Sequence, residues 1–283
     1  MARLRIGIVG CGEVTQLLHL PTLNQLGDLF EVTALCDVSQ SVLNQVGDAW
    51  GVKKRLSDYH ELVTLDTVDA VLIATPNAYH AQTVLAAIDA GKHVFMEKPV
   101  AVDPAGIRTV IEAAERAQAQ KLSVVAGTQR RHEASYLALM ERVQNGELGD
   151  IVGAQCYWNQ GGLWVHDRKP EYSDMEWQCR NWLYFCWLSG DHICEQHIHN
   201  IDVINWAKGG PPQKATGMGG RQVRTDDKYG NIFDHFAIDY EYPDGSTLLS
   251  MCRQIDGCAG KVQEDIIGTK GTAMARPGLS AIK

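Results

Sequence analysis

Short runs of aliphatic residues alternate with longer amphipathic stretches over the first 125 residues. The runs predict strands that are buried on both faces, and the amphipathic stretches predict the helices between them. The expected strands are 4–9, 31–36, 68–74, 93–97 and 123–127, and the expected helices are 14–26, 41–50, 79–90 and 104–119. This alternation predicts a doubly wound α/β domain with a parallel sheet.

The pattern changes near residue 126. Helices are expected at 134–145 and 191–208, a strand at 151–158, and an irregular segment at 159–190. Alternating segments then predict antiparallel strands at 215–224, 233–242, 247–253 and 262–267. We therefore predict two domains, a parallel α/β domain at 1–125 and an α+β domain with a mainly antiparallel sheet at 126–283.

Charge and composition exclude several classes of protein. The chain has 26 basic and 34 acidic residues and a net charge of −8, which argues against nonspecific nucleic-acid binding. No apolar run reaches the length of a membrane span, and the N-terminal apolar stretch is too short for a signal peptide. The eight cysteines form no CxxC pair, so we expect reduced thiols, no metal–thiolate site and a cytoplasmic protein.

A glycine-rich turn follows the first strand, in the order Gly10-Cys11-Gly12-Glu13-Val14-Thr15. Glycines allow a tight turn and a close approach to a pyrophosphate, while the next helix supplies amide donors. Thr15 replaces the third glycine of the usual fingerprint. Asp37 ends the second strand, where an acid binds ribose hydroxyls and repels a 2′-phosphate, so we predict NAD rather than NADP. A nucleotide-free α/β domain is the alternative.

Two further motifs narrow the class of dinucleotide-binding protein. Ala74-Thr75-Pro76-Asn77-Ala78-Tyr79-His80 follows one strand, and Glu97-Lys98-Pro99 follows the next. With the glycine turn and Asp37, they resemble the glucose–fructose oxidoreductase/inositol dehydrogenase/rhizopine-catabolism (Gfo/Idh/MocA) family over nearly the whole chain. The cofactor-binding residues predicted on this basis are Gly10, Cys11, Gly12, Glu13, Val14, Asp37, Thr75, Pro76, Asn77, His80, Glu97 and Lys98.

The resemblance implies an N-terminal Rossmann domain and a C-terminal open-faced sheet through which members often oligomerise, here as a homodimer or homotetramer. It also implies that Lys98 lies beside the nicotinamide and serves substrate binding and proton transfer. The position of Lys98 agrees, because ligands of α/β sheets bind at the carboxyl ends of the strands. A solvated surface lysine is the alternative for Lys98.

Members of this family usually carry an Asp-x-x-x-His-x-x-Asp pattern on a helix facing the nicotinamide. Here His199 and Asp202 align with it, and Glu195 replaces the first acid. On a continuous helix, His192, Glu195, His199 and Asp202 share an arc of about 80°, while His197 faces elsewhere. We therefore predict Glu195 and His199 as catalytic and His197 as a hydrogen-bonded core residue. A zinc site at His192, Glu195 and His199 is the alternative, although the spacing is not HExxH.

The segment 157–187 holds five of the seven tryptophans. Aromatic faces and planar polar side chains are typical of sugar recognition, but core or oligomer-interface packing explains them equally well. The predicted substrate contacts are Lys98, Arg130, Tyr157, Arg180, Asn181, Glu195 and His199.

These observations predict an NAD-dependent oxidoreductase for a sugar or polyol, with Lys98, His199 and Glu195 as catalytic residues. A glycosidase that uses bound NAD in a transient redox cycle is the first alternative, and an NAD-occupied sensor without catalysis is the second. Family members usually continue past the Gly268–Thr272 segment with more strand and a final helix. We therefore expect either a natively short C-terminus or a truncated chain.

Overall fold

A computed structural model describes residues 2–283 of the chain. The chain divides after Gly127 into two compact units, two residues beyond the boundary expected from the pattern. Each unit has its own sheet and its own hydrophobic core. None of the helices in the described part of the chain is both long and apolar enough to cross a bilayer.

The first unit contains a six-stranded parallel sheet. Its strands are β1 (Leu4–Val9), β2 (Phe30–Cys36), β3 (Lys54–Leu56), β4 (Ala70–Ile73), β5 (His93–Met96) and β6 (Val124–Ala126). Its helices are α1 (Leu20–Gln25), α2 (Gln40–Trp50), α3 (Tyr59–Val63), α4 (His80–Asp89) and α5 (Pro104–Ala119). The strand order β3-β2-β1-β4-β5-β6 confirms the predicted doubly wound parallel sheet.

The central strands of this sheet are apolar because both of their faces are covered. All four residues of β4 are buried, and the core divides into two clusters that contain alternate residues of β1 and β4. Val9 and Ile73 belong to one cluster, while Ile8 and Leu72 belong to the other. Burial on both faces explains why these strands read as continuous aliphatic runs rather than alternating ones.

Three features of the first unit differ from the expectation, one of which is the five-residue helix α3, which was not predicted. The predicted helix 14–26 begins as a wider π-helical segment, Thr15–His19, and only then continues as α1. Pro21 lacks the amide that a regular helix would need there, and the amide of Leu20 donates five residues back to Thr15. The strand β3 was not predicted, because it is a three-residue edge strand with a polar sequence.

The second unit contains a seven-stranded mixed sheet. Its strands are β7 (Ile151–Gln160), β8 (Lys214–Gly220), β9 (His235–Glu241), β10 (Thr247–Gln254), β11 (Lys261–Gly268), β12 (Thr272–Arg276) and β13 (Leu279–Ile282). Its helices are α6 (Ala134–Gln144), α7 (Asp174–Arg180), α8 (Cys186–Ser189), α9 (Asp191–Glu195) and α10 (Ile198–Lys208). The strand order is β13-β12-β11-β7-β10-β9-β8, and only the β7–β10 pair is parallel.

One face of this sheet packs against α6 and α10. Alternate residues of β7 and β10, such as Cys156, Leu248 and Ser250, are buried on that face. The opposite face carries half-exposed or exposed side chains, including Met218 and Met251. The sheet is therefore open on one side, as the family resemblance implied.

The segment 191–208 forms two helices rather than the single helix predicted. The amide of His197 donates five residues back to the carbonyl of His192, and Gln196 has φ −100° and ψ −53°, so the regular helix is interrupted between α9 and α10. The predicted wheel positions on either side of the break therefore do not share one axis. The strands β12 and β13 also extend the sheet beyond the last strand expected from the pattern.

We predict that Ile73→Ala lowers the free energy of unfolding by about 2–5 kcal/mol, because Ile73 is fully buried at the centre of the parallel sheet. The matched control is Val125→Ala in the edge strand β6, where the side chain is 39% exposed and the loss should stay below about 1 kcal/mol. Urea denaturation of both variants measures this. Equal losses would contradict the assignment of the core.

Candidate functional site

The glycine turn lies tightly against the carboxyl end of β4. Gly10 has φ +94°, and a Cβ at this position would sit 2.4 Å from the main-chain oxygen of Ala74. A side chain here would meet rigid backbone in a conformation that L residues rarely adopt. At Gly12, in contrast, a Cβ would meet nothing within 4 Å. The turn therefore needs glycine at its first position for folding, while the second position leaves open space above the backbone.

Thr15 and Asp37 stabilise this turn. The hydroxyl of Thr15 is buried and donates to the carbonyl of Gly10 at 2.6 Å, which explains how threonine replaces the third glycine. The carboxylate of Asp37 accepts hydrogen bonds from the amides of Cys11 and Ser39, both at 2.8 Å. Asp37 thus lies beside the glycine turn, where a ribose acceptor is expected.

The other predicted residues of the turn contribute main chain or exposed side chains. The thiol of Cys11 is fully buried, and burial raises its pKa to about 12, so only its backbone can face a ligand. Glu13 and Val14 are exposed at the start of the following helix. Their amides belong to the first turn, whose donors have no partner within a helix.

The loop after β4 approaches the same strand ends. Thr75 and Pro76 lead into a short 3-10 turn, Asn77–Tyr79, and Asn77 is buried. The hydroxyl oxygen of Thr75 is buried and has no hydrogen-bond partner among residues 2–283. A buried polar atom of this kind suits contact with a bound polar group.

His80 joins this loop to the turn after β5. Its Nδ1 lies 2.7 Å from the carbonyl oxygen of Pro99 and its Nε2 lies 3.0 Å from that of Thr75. The ring is fully buried, and burial lowers the pKa of His80 despite these two acceptors. His80 was predicted to bind the cofactor directly. Its two nitrogens are instead engaged by the backbone, so it positions the two loops.

Glu97 and Lys98 follow β5, and the Lys98–Pro99 peptide bond is cis. The carboxylate oxygen Oε1 of Glu97 lies 2.9 Å from Nε2 of His19. Burial alone would raise the pKa of Glu97, but the hydrogen bond and charge of His19, together with Lys98, lower it overall. Sequence reasoning missed His19, because the contact joins residues 78 positions apart and no local pattern announces it.

The residues of the first unit fit a dinucleotide. The glycine turn has open space at Gly12, Asp37 is placed as a hydroxyl acceptor, and Thr75 has a buried hydroxyl still to be satisfied. These groups, together with Glu97 and Lys98, follow the carboxyl ends of four strands, β1, β2, β4 and β5. In doubly wound sheets this edge is the nucleotide site.

In the second unit, His199 lies near the start of α10 and stacks on Trp158 of β7, with ring centroids 5.7 Å apart. The guanidinium of Arg130 covers Trp158 at 5.3 Å and Tyr136 at 5.6 Å. His199 is only 7% exposed and Glu195, the last residue of α9, only 5%. Both therefore sit at the break between the two helices, against the covered face of the sheet.

A buried carboxylate lies beneath this stack. Glu264 of β11 is fully buried and accepts hydrogen bonds from Arg130, from the hydroxyl of Tyr136 at 3.0 Å and from Nδ2 of Asn200 at 2.5 Å. Burial raises the pKa of Glu264 to about 7, although Arg130, Tyr136 and Asn200 oppose the shift. Arg130 was predicted to contact substrate. The structure places its guanidinium in this buried network instead.

Two further histidines, His197 and His192, lie close to His199 in the sequence and are buried. His197 is buried and its Nε2 lies 2.7 Å from the hydroxyl of Ser250, which confirms it as a hydrogen-bonded core residue. His192 is also fully buried, and neither ring nitrogen has a hydrogen-bond partner in the described part of the chain. Burial lowers the pKa of both rings to about 3. Asp202 is held by a two-bond ion pair with Arg131, at 2.8 and 2.9 Å.

Three further residues that were predicted to contact substrate have partners of their own in the structure. Tyr157 precedes Trp158 on β7 and points to the open face of the sheet, where its hydroxyl bonds Gln155, so it lies opposite His199. Asn181 is buried, with both ends of its amide bonded to the main chain of His166. Arg180 is exposed and pairs with Glu176 one helical turn away.

The tryptophan-rich segment serves partly as packing. Trp164 lies 6.1 Å from Trp182 and 6.2 Å from Tyr184 between ring centroids, so these rings form a local aromatic cluster. Trp187, in contrast, is 42% exposed.

Within residues 2–283, no group of three or more His, Cys, Asp or Glu side chains is arranged to hold a metal ion.

The fold and the strand-end residues fit the NAD-binding Rossmann domain of an oxidoreductase family. Residues 4–126 match the family model of an oxidoreductase family with an NAD-binding Rossmann fold, and residues 136–274 match the model of the GFO/IDH/MocA C-terminal domain. The two matches span most of the chain, which belongs to the Gfo/Idh/MocA oxidoreductase family.

Two named proteins with sequences similar to this chain are inositol dehydrogenases. Inositol 2-dehydrogenase of Salmonella typhimurium is 31% identical over 205 residues, which cover 72% of this chain and 54% of that protein. Myo-inositol 2-dehydrogenase of Thermotoga maritima is 33% identical over 231 residues, which cover 82% and 62%. The chain thus spans less than two thirds of the length of these relatives.

A solved structure of an inositol dehydrogenase has a similar fold. Apo scyllo-inositol dehydrogenase from Lactobacillus casei superposes with a TM-score of 0.78 at 25% identity, covering 96% of this chain and 75% of that one.

Substitution of Gly10 should lower the stability of the fold, whereas substitution of Gly12 should lower the affinity for NAD⁺. Gly10→Ala places a Cβ against the carbonyl of Ala74 at positive φ, so we expect a loss of more than about 1 kcal/mol in the free energy of unfolding. Gly12→Ala should fold normally but weaken NAD⁺ binding about tenfold, because its methyl group fills the space above the turn. Thermal denaturation and calorimetric titration measure both. A Gly12→Ala variant with unchanged NAD⁺ affinity would contradict the proposed pyrophosphate site.

Proposed function

We propose that this chain is an NAD-dependent oxidoreductase that oxidises a ring hydroxyl of a sugar or polyol to a ketone. The observation that carries the proposal is the set of groups at one edge of the parallel sheet, with the glycine turn, Asp37 and Lys98 following neighbouring strand ends. The family and the inositol dehydrogenases among its relatives support a polyol or sugar as the substrate class.

We propose NAD rather than NADP as the cofactor. Asp37 is already fixed beside the turn by the amides of Cys11 and Ser39, and its negative charge would repel a 2′-phosphate. The residues after it are Val38, Ser39 and Gln40, none of which offers a positive charge.

A nicotinamide held at this edge would supply the acceptor for the hydride that leaves the carbon carrying the hydroxyl. Lys98 would donate a hydrogen bond from its ammonium group to the oxygen of this hydroxyl, which orients it and favours the loss of its proton. His199 takes the proton on its imidazole, and Glu195 orients that ring or stabilises its charged form. His80 and Arg130 act as positioning residues, the first through the loops of Thr75 and Pro99, the second through the ring of Trp158.

A redox-cycling glycosidase is the second candidate, because the second unit contains an open cavity of about 640 Å³. Trp177, Phe185 and Trp187 line it together with charged side chains such as Arg168 and Asp227. Aromatic faces and hydrogen-bonding groups in one cavity suit an additional sugar ring.

We further propose that the chain forms a homodimer or homotetramer through the open face of the β7–β13 sheet. Met218, Met251 and Ile267 are 76%, 38% and 38% exposed there, and such apolar side chains suit an interface. The cytoplasm remains the proposed compartment, since all eight cysteines are free thiols.

The reaction can be tested by mixing the purified protein with NAD⁺ and a panel of sugars, polyols and aryl glycosides. NADH absorbance and aglycone release are followed in the same wells. NADH formed with a free sugar or polyol supports the dehydrogenase. Aglycone release without net NADH supports the glycosidase, and neither signal, from a protein that binds NAD⁺, would favour the non-catalytic sensor.

Lys98→Met should lower kcat by about 10²–10⁴-fold while the protein still binds NAD⁺, because a proton-transfer group is lost without a change in the glycine turn. The matched control is Lys53→Met, an exposed lysine of the same unit, whose turnover should equal that of the wild type. A Lys98→Met variant with full turnover would refute the role of Lys98.

Asp37→Asn should reduce the preference for NAD⁺ over NADP⁺ by about tenfold, because the amide keeps the shape of the side chain but removes its charge. Asp66→Asn, an exposed acid of the same unit, serves as the control. The preference is measured as the ratio of Kd values. An unchanged ratio would show that Asp37 does not read the ribose.

A further inference from the structure

Arg224 is a buried cation in the loop between β8 and β9. The residue is only 5% exposed, and its guanidinium lies between the rings of Tyr184 and Tyr229, 5.6 and 5.8 Å from their centroids. Nη1 donates to Oε1 of Gln254 at 2.6 Å, and Nη2 donates to the carbonyl of Phe233 at 2.9 Å. Its hydrogen-bond acceptors are therefore neutral.

The charge of Arg224 has no ion-pair partner in the part of the chain that the structure describes. Asp234 and Asp191 are near enough to act on it through space. The carboxylate of Asp234, however, accepts hydrogen bonds from the amides of residues 222–224 and from the ring of His235. The carboxylate of Asp191 accepts hydrogen bonds from the amides of His192 and Phe233 and from the thiol of Cys186. Buried charges in proteins are normally paired, so an anion is the expected missing partner.

Two hydrogen-bond donors at the same place are also unsatisfied. Nε of Arg224 and Nε2 of Gln254 are both buried, and neither has an acceptor among residues 2–283. Gln254 itself is fully buried, so bulk water does not satisfy its amide. Leaving a buried donor unpaired costs about 1–3 kcal/mol, and more for a charged group.

Both residues line a cavity of about 230 Å³ within the second unit. Tyr229 and the segment Gly162–Leu163 also line it, and Asp256 lies at its exposed side. The carboxylate of Asp256 accepts from the amide of Gly162 at 2.8 Å, so it is fixed in place. The cavity thus combines buried donors and a positive charge with an acceptor near solvent.

We propose that this cavity binds a small hydroxycarboxylate, such as a uronate or an aldonate. Its carboxylate pairs with Arg224 and accepts from Gln254, while its hydroxyl groups donate to Asp256. A planar guanidinium with a vacant donor suits a carboxylate. Water alone can satisfy the donors but adds no negative charge to those of Asp234 and Asp191, which act on Arg224 only through space.

The carboxylate has two possible sources. It can be part of the substrate, in which case the chain oxidises sugar acids, or it can belong to a separate acid that does not react. Binding by the cavity does not depend on the proposed oxidation. Only the assignment of the carboxylate to the substrate rests on the proposed function.

The binding test compares D-glucuronate with D-glucose on the whole 283-residue chain, because the two differ mainly by the carboxylate. Acetate is the minimal probe, and sodium chloride at equal ionic strength is the salt control. At about 100 times its Kd, a carboxylate that fills the cavity should raise the thermal midpoint by roughly 5–10 °C, and the rise should saturate. No saturable rise with glucuronate or acetate beyond that with chloride and glucose would overturn the proposal.

Arg224→Gln should weaken glucuronate binding at least about tenfold, because it removes a charge-assisted contact. Arg253→Gln, which changes the neighbouring residue of Gln254 outside the cavity lining, should leave the affinity unchanged. Equal losses in both variants would also overturn the proposal. If Arg224→Gln fails to fold, the glucuronate–glucose comparison on the wild type still decides the question.

A kinetic measurement distinguishes the two sources. If the carboxylate belongs to the substrate, wild-type KM is at least about tenfold lower for glucuronate than for glucose, and Arg224→Gln abolishes that difference while sparing glucose. If it belongs to a separate acid, glucuronate binds without being oxidised. A glucuronate that is oxidised with the same KM in the wild type and Arg224→Gln would contradict the substrate assignment, whatever the outcome for the general oxidation.

Discussion

The close approach of Gly10 to the carbonyl of Ala74 is the contact on which the nucleotide half depends. A Cβ at Gly10 would lie 2.4 Å from that oxygen, so β1 and the loop after β4 can meet only where one partner lacks a side chain. The contact brings the glycine turn beside Thr75, and His80 joins the Thr75 loop to the Lys98–Pro99 turn. One missing side chain thus allows the loops at three strand ends to lie together.

The second unit depends on a buried charge instead. Glu264 receives hydrogen bonds from Arg130, Tyr136 and Asn200, and through them it links β11 to the segment before α6, to α6 itself and to α10. Breaking such a buried pair is costly, because the remaining charge has no water to solvate it. Since Arg130 also covers Trp158, on which His199 stacks, the same network holds the proposed catalytic imidazole.

The pattern of apolar residues along the chain was sufficient to predict the strands that are buried in the core. The parallel strands and the glycine turn followed from local sequence because burial on both faces and positive φ restrict residue type at each position. The break between α9 and α10, the role of Arg130 and the partner of Glu97 did not follow. Each depends on a contact between distant residues, such as His19 with Glu97, that no local pattern encodes. The face of β7 that carries Tyr157 did not follow either, since alternation on β7 does not say which face α10 covers.

The central claim is that the glycine turn and Asp37 hold a nicotinamide dinucleotide in this chain. A crystal structure of the protein grown with NAD⁺ tests it most directly. The pyrophosphate should lie against the Gly10–Gly12 turn, with the adenosine ribose hydroxyls within hydrogen-bond distance of the Asp37 carboxylate and the nicotinamide beside Lys98. An empty turn at saturating NAD⁺, or a dinucleotide bound elsewhere, would contradict the account.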